Sequence, residues 1–133
     1  MNFLLDVNAL LATGQVEHSH HPAAMRWIKS LDPKRYSMAT CSISELGFIR
    51  ILTLPEIADL TISEAKGLLR RTKATSPVRF HFIPDDIGGD RLPSWVTRSS
   101  QTTDGHLLSV AQSVQGQLAT FDRRISGAFL IPE

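Results

Sequence analysis

The sequence predicts an α/β fold, with one parallel sheet covered by helices on both faces. Three observations predict it. Short, continuous apolar runs such as Phe3-Leu4-Leu5 and Leu118-Ala119 read as buried parallel strands. Longer segments carry apolar residues at the helical period. Strands and helices alternate along the chain, as βαβ units require. A chain of 133 residues, 42% hydrophobic and 20% charged, has enough apolar material for one core, so a single domain spanning 1–133 is expected.

Phe3-Leu4-Leu5 is the first strand, ended by Asp6. Asn8 can cap a helix running to about Gln15. Pro22 suits the first turn of a second helix through Ile28, which Asp32-Pro33 stops. Ser37 to Cys41 reads as a second strand. Ser42 opens a third helix through Leu52, with Pro55 beyond its end. Thr61-Ile62-Ser63-Glu64 opens a fourth, which ends in the basic stretch Arg70-Arg71-Thr72-Lys73. Arg79 to Ile83 alternates like a strand. Asp85 to Thr102 is irregular or weakly helical. Thr103 caps a helix with a stripe at Leu107, Val110, Ala111 and Val114. Gln117 to Phe121 is a strand ended by Asp122, and Ala128 to Ile131 is a last short one.

Bulk properties exclude several classes. A net charge of +1 predicts no partner, so any nucleic-acid contact must come from a local patch. Cys41 is the one cysteine, so no intrachain disulfide can form and a reducing, cytoplasmic setting is expected. No apolar run approaches the ~20 residues of a membrane span. The N-terminus lacks a basic n-region, so no signal peptide is expected.

Four acids stand where a strand ends or a helix begins: Asp6, Glu45, Asp104 and Asp122. Each has a simple alternative role. Asp6 and Asp122 are natural turn residues, and Arg123 or Arg124 could pair with Asp122. Glu45 fits a capping box with Ser42, yet its helix is apolar nearly all round and a buried glutamate needs a partner. Asp104 shares the phase of Leu107 and Ala111, so it points inward or into a cleft. In open parallel sheets, ligands bind beyond the carboxyl ends of the strands. Four carboxylates gathered there would repel one another. A divalent cation removes that penalty, and all-oxygen ligation suits Mg²⁺ or Mn²⁺. Such a site cleaves phosphoesters.

The segments Leu4-Leu5-Asp6-Val7-Asn8-Ala9-Leu10-Leu11, Cys41-Ser42-Ile43-Ser44-Glu45-Leu46-Gly47-Phe48, Thr103-Asp104-Gly105-His106-Leu107-Leu108 and Leu118-Ala119-Thr120-Phe121-Asp122-Arg123 occur in that order. In this the chain resembles PIN-domain ribonucleases, particularly VapC-type toxins of bacterial toxin–antitoxin pairs. The resemblance implies a three-layer α/β/α fold with a five-stranded parallel sheet. It implies metal-dependent endonucleolytic cleavage of RNA, with Asp6, Glu45, Asp104 and Asp122 as the catalytic and metal-holding acids. Asn8 and Thr120 would order the pocket. A VapB-like antitoxin and a homodimer are implied partners, with Trp27 and Phe48 as residues that either line an antitoxin groove or pack the core. Where the family carries a small residue and an aromatic after the third acid, Gly105-His106 stand here, and His106 could touch substrate.

Arg70, Arg71 and Lys73, with Arg79, form the best basic patch for RNA phosphates. His18, His20 and His21 are either a solvated cluster or a transition-metal site. Two other readings stay open. A phosphoaspartate enzyme would use Asp6 but wants a second aspartate where Asn8 stands. A PIN-like module could grip RNA or protein without cutting.

Overall fold

The computed structural model describes residues 1–133. Five strands, β1 (Asn2–Leu5), β2 (Ser37–Cys41), β3 (Phe80–Ile83), β4 (Gln117–Thr120) and β5 (Phe129–Leu130), form one sheet in the order β3-β2-β1-β4-β5. Every pairing is parallel. Helices α1 (Val7–Gly14), α2 (His21–Ser30), α3 (Ser42–Leu52), α4 (Ile62–Ala74) and α5 (Thr102–Ser113) complete it. The order reverses at β1, whose neighbours are β2 and β4, so the crevice expected of such sheets lies beyond Leu5 and Thr120.

Strand alternation divides the core. Phe3 and Leu5 of β1 face one side with Met38, Ala119 and the apolar faces of α1 to α4. Leu4 faces the other side with Ala39, Cys41, Leu118 and the α5 residues Leu107, Leu108, Val110 and Ala111. The α/β/α layering follows, but it is lopsided. Four helices cover one face; on the other, α5 shares the work with the irregular segment after β3, which sends Ile87 and Trp95 onto the core. That segment contains two single turns of 3₁₀ helix, Gly89–Arg91 and Ser99–Gln101.

Gly105 has a packing reason. A Cβ there would stand 2.3 Å from Val96 Cγ2, so the glycine lets the segment before Ser99 lie against α5. Its low helix propensity, ~1 kcal/mol worse than alanine, is the cost of that approach.

Several local expectations change. Asp6, not Asn8, caps α1, accepting from Ala9 N–H at 2.8 Å. The cap of α3 is Cys41 with Ser44, not Ser42 with Glu45. Ser44 Oγ accepts from Cys41 N–H at 2.9 Å and returns a bond to the Cys41 carbonyl at 3.0 Å. β2 ends one residue before Ser42, which shifts the helix start and frees Glu45 from capping. The predicted cap at Thr61 with Glu64 does form. α5 begins at Thr102, behind a 3₁₀ turn, and Thr103 lies inside it. Nor is α3 buried all round, since Leu46 is 63% exposed and Ile43 37%. Trp27 and Phe48 are core residues and line no open groove.

Candidate active site

The carboxyl ends of β1 and β4 lie side by side, with Leu5 paired to Ala119. Asp6, directly after β1, and Asp122, two residues beyond β4, therefore stand at one edge of the sheet. The first turn of α5 brings Asp104 to the same place. These three aspartates line a single cavity of about 330 Å³ with Asn8, Thr103 and Arg50.

Asp6 is the most enclosed, only 5% exposed. Its second oxygen accepts from Thr120 Oγ1 at 2.6 Å, so both oxygens are fixed. Thr120 Oγ1 in turn accepts from Asp122 N–H at 2.9 Å, which ties the two strand ends together. Burial raises the pKa of Asp6 to about 6 against the pull of the Thr120 and Ala9 hydrogen bonds, and the charges of Asp104 and Asp122 add to the rise. Burial likewise raises Asp104, helped by repulsion from Asp122. Asp122 moves the other way because Arg124 grips it. The guanidinium meets both carboxylate oxygens at 3.0 Å and the Arg124 N–H adds a bond of 2.9 Å.

The cavity thus gathers three acids, with Arg50 in its wall and Arg124 clamped to Asp122 at its rim. Hard oxygen donors of this kind fit Mg²⁺ or Mn²⁺, which take one or two protein carboxylates and keep several waters. No three acid, histidine or cysteine side chains form a ready-made metal cage, so waters would complete any coordination. Asp6, Asp104 and Asp122 are the side chains that would hold the ion.

Glu45 is not brought into this cavity. Its carboxylate accepts from Thr40 Oγ1 at 2.5 Å and forms an ion pair with Lys73, which reaches across from α4. The buried glutamate of the sequence does have company, but the company is a lysine. Lys73 is correspondingly occupied. Arg71 projects to another face of α4, beside His21, Met25 and Ile28, and stands apart from Arg70. His106 pairs with Asp85 and pins the chain after β3 to α5. Asp85 lies low in pKa. Burial would raise it, and the bonds from His106 and Ile87 N–H outweigh that.

The three histidines diverge. His18 lies 3.0 Å from Asn8 Oδ1, and its Nδ1 accepts from His20 N–H. Its proton therefore sits on Nε2 and points at Asn8. Burial and the neighbouring His20 and His21 keep His18 low in pKa and neutral. His20 stacks on Phe121 at 4.4 Å, and His21 donates to the Ala12 carbonyl at 2.7 Å. So His18 orients Asn8 at the cavity wall, a contact that no sequence spacing advertised. Arg50 was missed for a similar reason. It is one charge on a mostly apolar helix, and only the packing of α3 against α1 brings it to the acids.

Three ribonucleases of Mycobacterium tuberculosis are similar to this chain. Ribonuclease VapC39 is 33% identical over 132 residues, which cover 95% of this chain and 92% of that protein. Ribonuclease VapC38 is 33% identical over 134 residues, 98% of this chain and 89% of its own length. Ribonuclease VapC44 is 33% identical over 129 residues, covering 95% and 89%. The crystal structure of VapC20 from the same organism, a sarcin–ricin loop cleaving toxin, superimposes with a TM-score of 0.62 at 15% identity and covers 93% of this chain, which shows a shared fold. No family model matches the chain. One third of the residues are shared with these ribonucleases along nearly the whole of each chain, and the chain belongs to the PIN-domain VapC ribonucleases.

Proposed function

We propose that this protein is an endoribonuclease toxin that uses Mg²⁺ or Mn²⁺ and is silenced in the cytoplasm by a VapB-like antitoxin. The observation that carries the reading is the convergence of Asp6, Asp104 and Asp122 on one cavity. The VapC relatives support the choice of RNA as substrate.

A divalent ion held by these acids would supply positive charge to the phosphodiester and acidify an attacking water. The chain's own residues do the rest. Thr120 and the α1 N-terminus hold Asp6 in one orientation. Asn8, steered by His18, presents an amide to the cavity. Arg50 offers a cation to a phosphate oxygen. Arg124 keeps Asp122 in place. Water adds to phosphorus, the bond to the ribose 3′ oxygen breaks, and the products carry a 3′-hydroxyl and a 5′-phosphate. Glu45, held by Lys73 at the neighbouring strand end, acts from the margin of the site.

The test is cleavage of RNA by the purified chain with Mg²⁺ and with EDTA, beside Asp104→Asn. Cleavage that depends on Mg²⁺ and falls by more than about 100-fold in the variant is expected, a loss beyond that of an outer-shell partner. Undiminished cleavage in a well-folded variant would sink the assignment.

A second reading has an observation behind it. Arg124 neutralises Asp122 and Lys73 neutralises Glu45. A non-cutting, RNA-gripping module would look like this. Such a module binds RNA equally well with EDTA and leaves it intact.

For partners, α3 presents Ile43 and Leu46 as an apolar stripe suited to a homodimer. An antitoxin segment is assigned to the open apolar cavity of about 430 Å³ among Val16, Leu52, Ile57 and Leu68.

A further inference from the structure

The largest open cavity lies away from the three aspartates. About 940 Å³ in volume, it runs between the end of α4 and the outer edge of β3. Arg70, Lys73, Arg79 and His81 line it, together with Phe80 and Phe82, and no acidic side chain does. Arg70 and Lys73 share one face of α4 because they are three residues apart. Arg79 immediately precedes β3 and His81 lies within it; β3 is an edge strand paired only with β2.

Phe82 is out of place by ordinary folding logic. Natural edge strands avoid exposed apolar side chains, yet Phe82 is 50% exposed. Its ring lies beside the Lys73 ammonium, 5.9 Å from the centroid. An exposed aromatic among several cations matches how proteins hold single-stranded nucleic acid. Cations track the backbone and a ring stacks a base. An acidic peptide would use the cations but has no need of the ring. Duplex RNA would offer no unstacked base to it.

We propose that this groove binds single-stranded RNA outside the cleavage site, with Arg70 and Arg79 on backbone phosphates and Phe82 stacked on a base. The assignment rests on RNA being the substrate of the acidic cavity. Lys73 lies in the groove and holds Glu45 beside Thr40 at the end of β2, outside the aspartate cavity. Arg71, on another face of α4, takes no part.

The experiment uses the full chain carrying Asp104→Asn, so that RNA stays intact, and a labelled single-stranded oligoribonucleotide. Affinity is measured across a salt series. Adding Arg70→Gln and Arg79→Gln should lower the slope of log affinity against log salt by about 1.4, the value for two single-strand phosphate contacts. Phe82→Ala should weaken binding by about 5- to 150-fold with the slope unchanged. Phe82→Trp should retain binding and controls for loss of fold. In the wild-type background, the two glutamine substitutions should raise KM for long RNA and leave cleavage of very short RNA unaltered. An unchanged salt slope overturns the groove. So does a poly-glutamate peptide that competes as well as RNA with no dependence on Phe82, which would make the groove an acidic-peptide site. Failure of wild-type protein to cut any RNA would count against the nuclease reading, while the binding series still decides the groove.

Discussion

The two halves of the sheet's carboxyl edge treat charge in opposite ways. At β2 and β3, Glu45 is met by Lys73 and Thr40, Asp85 is met by His106, and a basic groove lies alongside. At β1 and β4, Asp6, Asp104 and Asp122 share one cavity, with Arg50 in its wall and Arg124 bound to Asp122. Ion pairing at the first half is what stability favours. Leaving acids together at the second costs stability, and burial drives the pKa of Asp6 up to about 6. Repulsion kept in a folded protein is a mark of function, because a bound cation turns the penalty into affinity.

The largest test of this contrast is Asp6→Asn. With a folded pKa of about 6 against ~3.9 in the unfolded chain, the native state binds the proton more tightly. The contribution of Asp6 to the stability of the metal-free protein is therefore greatest below ~4 and falls as pH rises through about 6, by about 3 kcal/mol in all. Asparagine removes the charge and can still accept from Ala9 N–H. The variant should melt higher than wild type at pH 7 in EDTA, with the gap closing toward pH 4, while RNA cleavage is lost. A variant that is less stable at pH 7 would break the contrast.

Thr120→Val probes the support beneath the same acid. It removes the bond that orients Asp6 and leaves Asp122 N–H without its acceptor. Cleavage should fall by about 10–100-fold, the usual cost of an outer-shell partner. A change within twofold would show that Asp6 needs no such anchor.

Lys73→Met sharpens the other side. Glu45 loses its cation in a half-buried position, so stability should fall by about 1–2 kcal/mol, between the values for surface and buried pairs. Cleavage of very short RNA should change by less than about 10-fold, as for a group outside the innermost shell. An effect as large as that of Asp104→Asn would move Glu45 into the cavity with the aspartates and erase the difference between the two halves.

The alternation of strands and helices, and with it the parallel sheet, was legible because burial on both faces demands continuous apolar strands. The positions of Asp6, Asp104 and Asp122 were legible because strand ends and helix phase are local properties. What sequence misjudged was pairing. The Ser42 to Glu45 spacing satisfied a capping pattern, but Cys41 and Ser44 took the cap one residue earlier. The apolar run of α3 suggested burial on every side, while Leu46 faces outward. Arg70, Arg71 and Lys73 looked like one basic patch, yet successive residues on a helix point about 100° apart and only two of them reach the groove.

By itself, then, the sequence determined the layer architecture and placed three of the acids at the sheet's carboxyl edge. These follow from the period of the hydrophobic pattern and from where it is interrupted. Only the tertiary structure decided which charges meet. It gave Glu45 to Lys73, His106 to Asp85 and Arg50 to the acidic cavity, because electrostatic partners are chosen by distance across packed elements, and that distance is not written in any local stretch of the chain.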